Sequence, residues 1–405
     1  MSEESDVKMQ NLRKEVFDKI TNNQTDDLRA LINVNDLKIN FVDEFGMSPL
    51  QHACYKGNKE IVQMLLDQGA VVNDCEHKHG YSALHFAALS GNSDLCNLLM
   101  SHGAKINAKN SVGRTAAQMA GFVGNHSCAS AINNFVPKAN LDYYIKPQNL
   151  QKEPMLHPHL ADSFYLFITQ VNVHPVKVIM NLKKLPGLID NLPMVQKVLE
   201  CMSKKEMNKG ADANEIMSFK YHYLCYLTDE LSKSIQRHVS SNTEKDGSNE
   251  DKKHEAADLL IKKFLKYKND GTQEYLELFL RDLVREYSYR DTAIFRQMVA
   301  TLTSSDPPSA VSVISAAING QQVFKDVERL ICETCGEEKA PKKCSKCKVV
   351  QYCDRECQRL HWFIHKKNCS RLNQSSQQNH VPESAPNSEE ITNAVTSRLQ
   401  NLIVN

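Results

Sequence analysis

Apolar and polar positions in the first third of the chain recur with a long period. The block Ser48-Pro49-Leu50-Gln51-His52-Ala53 returns as Ser82-Ala83-Leu84-His85-Phe86-Ala87, 34 residues on. It returns again, in weaker form, as Thr115-Ala116-Ala117-Gln118-Met119-Ala120 after a further 33. Gly46, Gly80 and Gly113 stand two residues before each Ser or Thr, and Gly57-Asn58, Gly91-Asn92 and Gly124-Asn125 follow in step. Leu65-Leu66-Asp67-Gln68-Gly69-Ala70 matches Leu99-Met100-Ser101-His102-Gly103-Ala104. Each landmark has a physical task. The first glycine permits a positive φ in a tight turn. Ser48, Ser82 and Thr115 can cap a helix, and Pro49 suits its first position. The Gly-Asn pair breaks that helix and starts a second, which Gly69 or Gly103 ends in a left-handed cap.

A turn followed by two antiparallel helices at this period is the ankyrin repeat. Leu12 to Ile32 reads as two short amphipathic helices, with Leu28, Leu31 and Ile32 on one face, and the last repeat ends at Phe135-Val136-Pro137 without its Gly-Ala step. Residues 1–137 thus hold two full repeats between two degenerate caps. Stacking buries a face that one repeat cannot bury alone and sets the turns in a row for partner binding.

From 138 to 325 no repeat is evident, and helical spacing takes over. Leu160 to Val171 is an apolar run between Pro158 and Pro175. Ile216, Phe219, Tyr223, Leu227 and Leu231 share one face, as do Leu260 and Phe264, then Leu276, Phe279, Leu280, Leu283 and Tyr287. Asp306-Pro307-Pro308 opens a helix to Ile318, and Ser240 to Lys253 reads as a polar loop. These stripes predict a packed core and carry no nucleophile motif or phosphate loop.

Charge narrows the function. Forty-nine basic against 48 acidic side chains leave +1, so no global field favours nucleic acid. The first ten residues are polar and no apolar run reaches membrane length, which predicts a cytoplasmic chain with no transmembrane segment. Thirteen cysteines in such a chain are thiols. Cys54, Cys75, Cys96, Cys128, Cys201 and Cys225 are scattered and read as small buried residues, while the other seven fall between Cys332 and Cys369.

That cluster is Cys332-x2-Cys335, Cys344-x2-Cys347, Cys353-x3-Cys357 and His365-x3-Cys369, eight ligands for two tetrahedral Zn2+ ions with none left over. His365 and Cys369 share a helix face. The net charge of +5 from Cys332 to Arg371 falls to +2 once seven thiolates and two Zn2+ are counted, so the lysines and arginines compensate the metal–thiolate charge. Closed coordination predicts structural zinc. His361 precedes His365 by four residues without the glutamate of a metalloprotease helix and reads as an exposed neighbour. Cys75, His77, His79 and His85 lack a second cysteine pair and read as a polar binding turn.

Tyr352-Cys353, Cys357-Gln358 and Trp362 leading to His365-Lys366-Lys367-Asn368-Cys369 resemble a MYND zinc finger. The resemblance implies interleaved pairing: Cys332, Cys335, Cys353 and Cys357 on one ion, Cys344, Cys347, His365 and Cys369 on the other. It also implies a groove for proline-containing peptides at Ser345, Gln358 and Trp362, although Trp362 could instead simply pack the finger. The expected fold is mostly α: an N-terminal ankyrin-repeat stack, an α-helical middle region at 138–325, a small two-zinc MYND finger at 332–369, and a largely disordered tail at 370–405 with Ile391, Val395 and Leu399 in line. Stretches such as Asn110-Ser111-Val112-Gly113-Arg114-Thr115 and Leu141-Asp142-Tyr143-Tyr144 resemble chains that combine ankyrin repeats with a MYND finger, over Asn40 to Cys369, and this resemblance implies a non-enzymatic adaptor that helps deliver signalling proteins to cilia.

Two rival classes stand against that reading. Some MYND proteins are SET-type lysine methyltransferases, and Asn125-His126-Ser127-Cys128 spells that domain's cofactor-side motif; yet it precedes the finger, the repeat register accounts for Gly124-Asn125, and the Gly-x-Gly start is missing. Direct nucleic-acid binding would need a reading helix with several Arg or Asn at groove spacing, which the finger lacks.

Overall fold

The computed structural model describes residues 2–378 apart from 36, 75, 149–152, 211–212, 242–248, 269–272, 321–330 and 339. Helices α1 (Ser2–Thr21) and α2 (Thr25–Asn35) lead into three helix pairs: α3 (Pro49–Lys56) with α4 (Lys59–Asp67), α5 (Ala83–Leu89) with α6 (Ser93–Ser101), and α7 (Ala116–Val123) with α8 (His126–Asn133). The short α9 (Asp142–Ile145) begins a helical body of α10 (Ala161–Thr169), α11 (Pro175–Lys184), α12 (Leu192–Met207), α13 (Glu215–Ser241), α14 (Asn249–Leu265), α15 (Glu274–Arg285), α16 (Ala293–Leu302) and α17 (Ala310–Asn319). A small hairpin, β1 (Lys342–Lys343) and β2 (Gln351–Tyr352), precedes the last helix, α18 (Arg355–Gln378). The mostly α class with an ankyrin stack and a C-terminal finger is as expected.

Capping chemistry sets the repeat geometry. Ser48, Ser82 and Thr115 each accept from the backbone N–H three residues on, and Gln51, His85 and Gln118 answer with a side-chain bond to the cap's own N–H. Gln51 and His85 also tie repeats together: Gln51 Nε2 donates to the carbonyls of Asp74 (3.1 Å) and Tyr81 (3.0 Å), and His85 Nε2 lies 3.1 Å from the carbonyl of Arg114. Gly46 stands at φ +78°, and a Cβ there would lie 2.2 Å from the carbonyl oxygen of Glu76, so the close approach of neighbouring turns demands glycine. Leu50, Leu84, Leu95 and Leu99 lie in one core that runs from Val16 to Ile132.

Several expectations change. The first helix is one continuous 20-residue element beginning well before Leu12. Asn249–Lys253, expected in a polar loop, forms the start of α14. Residues 370–378, expected in a disordered tail, continue α18, since no Gly or Pro interrupts the chain before Pro382. The remainder of the tail, with Ile391, Val395 and Leu399, lies outside the described residues, as does Cys75. His77 is half-buried: its Nδ1 accepts from the backbone of His79 (3.3 Å) and Tyr81 (3.4 Å), and its ring stands edge-on to Phe86 at 5.3 Å. The turn is therefore braced from within as well as displayed. Helices α11, α12 and α16 lie outside the apolar stripes read from the sequence.

The stack does not hang free of the body. Lys220, in α13, is fully buried, and its Nζ donates to Asn134 Oδ1 at 2.6 Å and to the carbonyl of Gln170 at 2.8 Å. Asn134 Nδ2 reaches Asn319 Oδ1 at 2.9 Å, and Asn319 Nδ2 donates to the carbonyl of Val171 at 3.1 Å. This buried network joins the end of the last repeat to α13, α17 and the loop after α10. The finger joins the same body: its cysteines belong to one apolar cluster with α10 to α17. Asn172 Nδ2 donates to the carbonyl of Cys335 (3.1 Å), Lys177 meets Glu337 (3.1 Å), and Lys183 bridges Asp258 (2.7 Å) and Glu356 (3.0 Å). Arg359 reaches Asp258 at 2.7 Å, closing α18 onto α14.

Two predictions follow from this packing. Leu84 is 1% exposed, so Leu84→Ala should cost about 2–5 kcal/mol in urea unfolding, as a buried leucine truncation does. Burial pulls the Lys220 pKa down to about 7, below the ~10.4 of an unfolded lysine. The folded chain thus binds fewer protons between those values, and stability rises with pH across that window. Lys220→Met should remove that part of the rise, measured as the difference in unfolding free energy between wild type and variant at pH 7 and pH 9.5. Parallel slopes would show that the buried ammonium carries no such penalty.

Candidate metal centre

The finger builds its site from three local devices. A turn at Cys332–Gly336, closed by Gly336 N–H to the Cys332 carbonyl at 2.9 Å, brings Cys332 and Cys335 to one side. The knuckle after β1 closes through Lys348 N–H to the Cys344 carbonyl at 2.8 Å, with Lys348 at φ +58°, and turns Cys344 and Cys347 the same way. The third is α18, where Asp354 Oδ1 accepts from the Cys357 N–H at 2.8 Å and so fixes the first turn.

Together these devices produce two clusters. Cys332, Cys335, Cys353 and Cys357 present four sulfurs within 4.8 Å of one another, and Cys344, Cys347, His365 and Cys369 do the same with three sulfurs and an imidazole nitrogen. The edges are informative. A tetrahedron with Zn–S bonds near 2.3 Å has S···S edges of about 3.8 Å, and replacing one sulfur by nitrogen shortens the mixed edges to about 3.5 Å. Cys335 Sγ lies 3.5 Å from Cys353 Sγ and 3.8 Å from Cys357 Sγ, and Cys344 Sγ lies 3.9 Å from Cys369 Sγ. His365 Nε2 is 3.6 Å from Cys347 Sγ and 3.3 Å from Cys344 Sγ. The donor set fits two zinc ions in closed, structural sites, each with four protein ligands and no open position for a reacting water.

Residues around the clusters hold them in place. His361 is buried, contrary to the exposed position expected for it: its Nδ1 lies 3.1 Å from the Tyr352 hydroxyl and its ring stacks 6.0 Å from that of His365. The four-residue spacing from His365 was the hint that it shares the ligand face. Thr334, which sequence reasoning passed over, is fully buried and donates its hydroxyl to the Cys357 carbonyl at 2.7 Å. Trp362 lies on α18 one turn before His365, 43% exposed, with ring centroids 5.9 Å apart. Gln358 is half-buried one turn earlier, and Ser345 is exposed beside Cys344.

The other candidates resolve as parts of the stack. Asn125 Nδ2 donates to the carbonyls of Ala88 (3.0 Å) and Leu89 (2.9 Å), and Cys128 is fully buried in the repeat core, so Asn125–Cys128 is a repeat junction. His85 is occupied by its cap and by Arg114. No third metal-type cluster occurs among the described residues.

Known proteins carry the same modules. The family profile for ankyrin repeats matches residues 18–110, and that for the MYND finger matches residues 332–369. Dauer abnormal formation protein 25 of Caenorhabditis elegans is 30% identical over 385 residues, covering 93% of this chain and 95% of the relative. The chain belongs to this family of ankyrin-repeat, MYND-finger proteins. Likeness to methyltransferase-type relatives is confined to short stretches. SET domain and MYND-type zinc finger protein 6 of Schizosaccharomyces pombe is 40% identical over 52 residues, 13% of this chain and 11% of the relative. A histone-lysine N-methyltransferase of Homo sapiens is 37% identical over 51 residues, 12% of this chain and 10% of that enzyme. Ankyrin repeats and a MYND finger make this family member a protein-interaction module, and no helix among the described residues is long and apolar enough to cross a membrane.

Elemental analysis of the purified chain should return two zinc ions. Structural zinc in small fingers is worth about 10–16 kcal/mol near pH 7, so chelation should unfold the finger and loosen the helical body it is packed against, while the ankyrin core keeps its helical signal. One zinc or none in well-folded protein would contradict the two-cluster geometry.

Proposed function

We propose that this chain is a non-enzymatic adaptor. One zinc is assigned to Cys332, Cys335, Cys353 and Cys357, the other to Cys344, Cys347, His365 and Cys369. Partners bind at the ankyrin turns and, through proline-containing segments, at Ser345, Gln358 and Trp362. The observation that carries the reading is the exposure of Trp362 on a helix whose other faces are committed to zinc ligands and to the body. An aromatic side chain of that size left open on a braced surface is the kind of anchor that dominates binding energy. Gln358 sits four residues away on the same face. An extended proline segment loses little entropy on docking, so a shallow platform suffices.

The reading extends, on the resemblance to ankyrin-repeat and MYND-finger chains, to a cytoplasmic protein with ciliary association whose cargo is signalling proteins. The lysine-methyltransferase alternative draws no support from relatives that match over 51 or 52 residues alone. Closed zinc sites likewise argue for a structural metal.

The finger shares its apolar core with α10 to α17, so the test uses the intact chain. Proline-rich peptides are titrated against wild type, Trp362→Ala, Gln358→Ala and Ser345→Ala, with zinc content and melting temperature checked for each. Trp362→Ala should weaken binding by about 30-fold, equivalent to about 2 kcal/mol, and the other two by less, all with two zinc ions retained. If wild type binds none of the peptides, or all three variants bind as wild type does, the finger groove is not a recognition surface.

A further inference from the structure

The helical body carries a cleft lined by no residue of the finger or of the ankyrin turns. It lies between α12, α13 and the segment after α15, with a volume of about 540 Å³. Volumes of roughly 300–1,000 Å³ are typical of ligand-binding clefts. Aromatic rings form much of its wall. His222 stands 6.1 Å from Tyr226 and 5.2 Å from Tyr287, and Tyr287 stands 5.6 Å from Tyr289. The rings are held from behind: His222 Nε2 lies 2.9 Å from the Leu283 carbonyl, and the buried Tyr287 donates its hydroxyl to Ser218 Oγ at 3.0 Å. The Nε2–H of His222 is thus committed to a carbonyl, and burial keeps the imidazole in its neutral form near pH 7. The wall is largely π-surface, and its histidine adds no positive charge.

Charge completes the pattern. Glu200 and Asp229 line the cleft, and Glu286 adjoins Tyr287 closely enough to act on both His222 and Tyr226. Asp229 is paired with Lys233 at 2.6 Å, whereas Glu200 and Glu286 make no ion pair among the described residues. The one basic side chain on the lining is Lys204, exposed on α12. Electron-rich ring faces with unpaired carboxylates at the rim complement a planar organic cation, which stacks on aromatic faces and keeps its charge in a partly dry cleft.

We propose that this cleft docks an arginine side chain of a partner polypeptide, seated against Tyr226 and Tyr289 and neutralised by Glu286 and Glu200. The site is independent of the finger groove, so either can fail without the other.

The test uses the zinc-loaded full chain and ligand-detected NMR. The probe is the pentapeptide Gly-Ser-Arg-Ser-Gly, compared with the same peptide carrying citrulline, which keeps the shape and loses the charge. The arginine peptide should bind at least five-fold more tightly than the citrulline peptide. Tyr226→Leu and Glu286→Gln should each weaken it by about 5- to 30-fold, the range for loss of a desolvated cation–π or charge contact. Tyr226 also packs on Phe279 at 5.2 Å, so its variant is compared only if its melting temperature is unchanged. Glu286 is exposed, and Glu286→Gln should leave the melting temperature unchanged. Glu60→Gln, on the distant α4, should change nothing. Equal binding of the two peptides, wild-type binding by Glu286→Gln, or an equal loss in Glu60→Gln would each overturn the proposal.

Discussion

Metal–thiolate coordination is the constraint from which the C-terminal finger takes its form. A segment of 38 residues cannot bury enough apolar surface to fold by itself. Eight ligands replace that missing core, and ligand–ligand edges of 3.3–3.9 Å leave the two knuckles and α18 little freedom in their relative placement. That placement has two consequences. One side of the finger becomes a rigid surface on which Asn172, Lys177 and Lys183 find their partners. The opposite run of α18 carries Trp362 outward.

Packing then turns three sequence regions into one connected object. The ankyrin stack has its own core, built by repetition and by side chains such as Gln51 and His85 that cap one repeat and bond the next. It is fastened to the helical body through a polar network, Lys220–Asn134–Asn319, in which no carboxylate among the described residues pairs with the lysine. A buried polar network restricts the ways two surfaces can meet, since any other arrangement strands its donors. The lysine carries a desolvation penalty in return, eased as the ammonium gives up its proton. The finger is fastened differently, by half-buried ion pairs around Lys183 and by continuity of the apolar core. The ankyrin turns, the finger and the body cleft, the surfaces proposed for recognition, therefore hold fixed positions on one frame.

The repeat landmarks and the zinc ligands were legible in the sequence because each depends on local chemistry. A positive φ demands glycine, a helix start demands a hydroxyl or amide, and a zinc ion demands thiolates at knuckle spacing; all leave a mark within a few residues. His361 was misread for the opposite reason. Its burial depends on Tyr352 arriving from β2, which no spacing within α18 announces. The bracing of the His77 turn was likewise not legible, because its support comes from Phe86 in the helix that follows.

What the sequence by itself determined is therefore the set of modules, their order and the donor chemistry of the finger. The tertiary structure alone decided how they join: that Lys220 lies buried at the seam of stack and body, that the finger shares the body's core, and that His222, Tyr226, Tyr287 and Tyr289 converge on one cleft. These contacts link residues far apart along the chain, and their partners are ordinary Asn, Lys and Tyr side chains. Such residues carry no distinctive spacing, and their meaning arises only when folding removes water from around them.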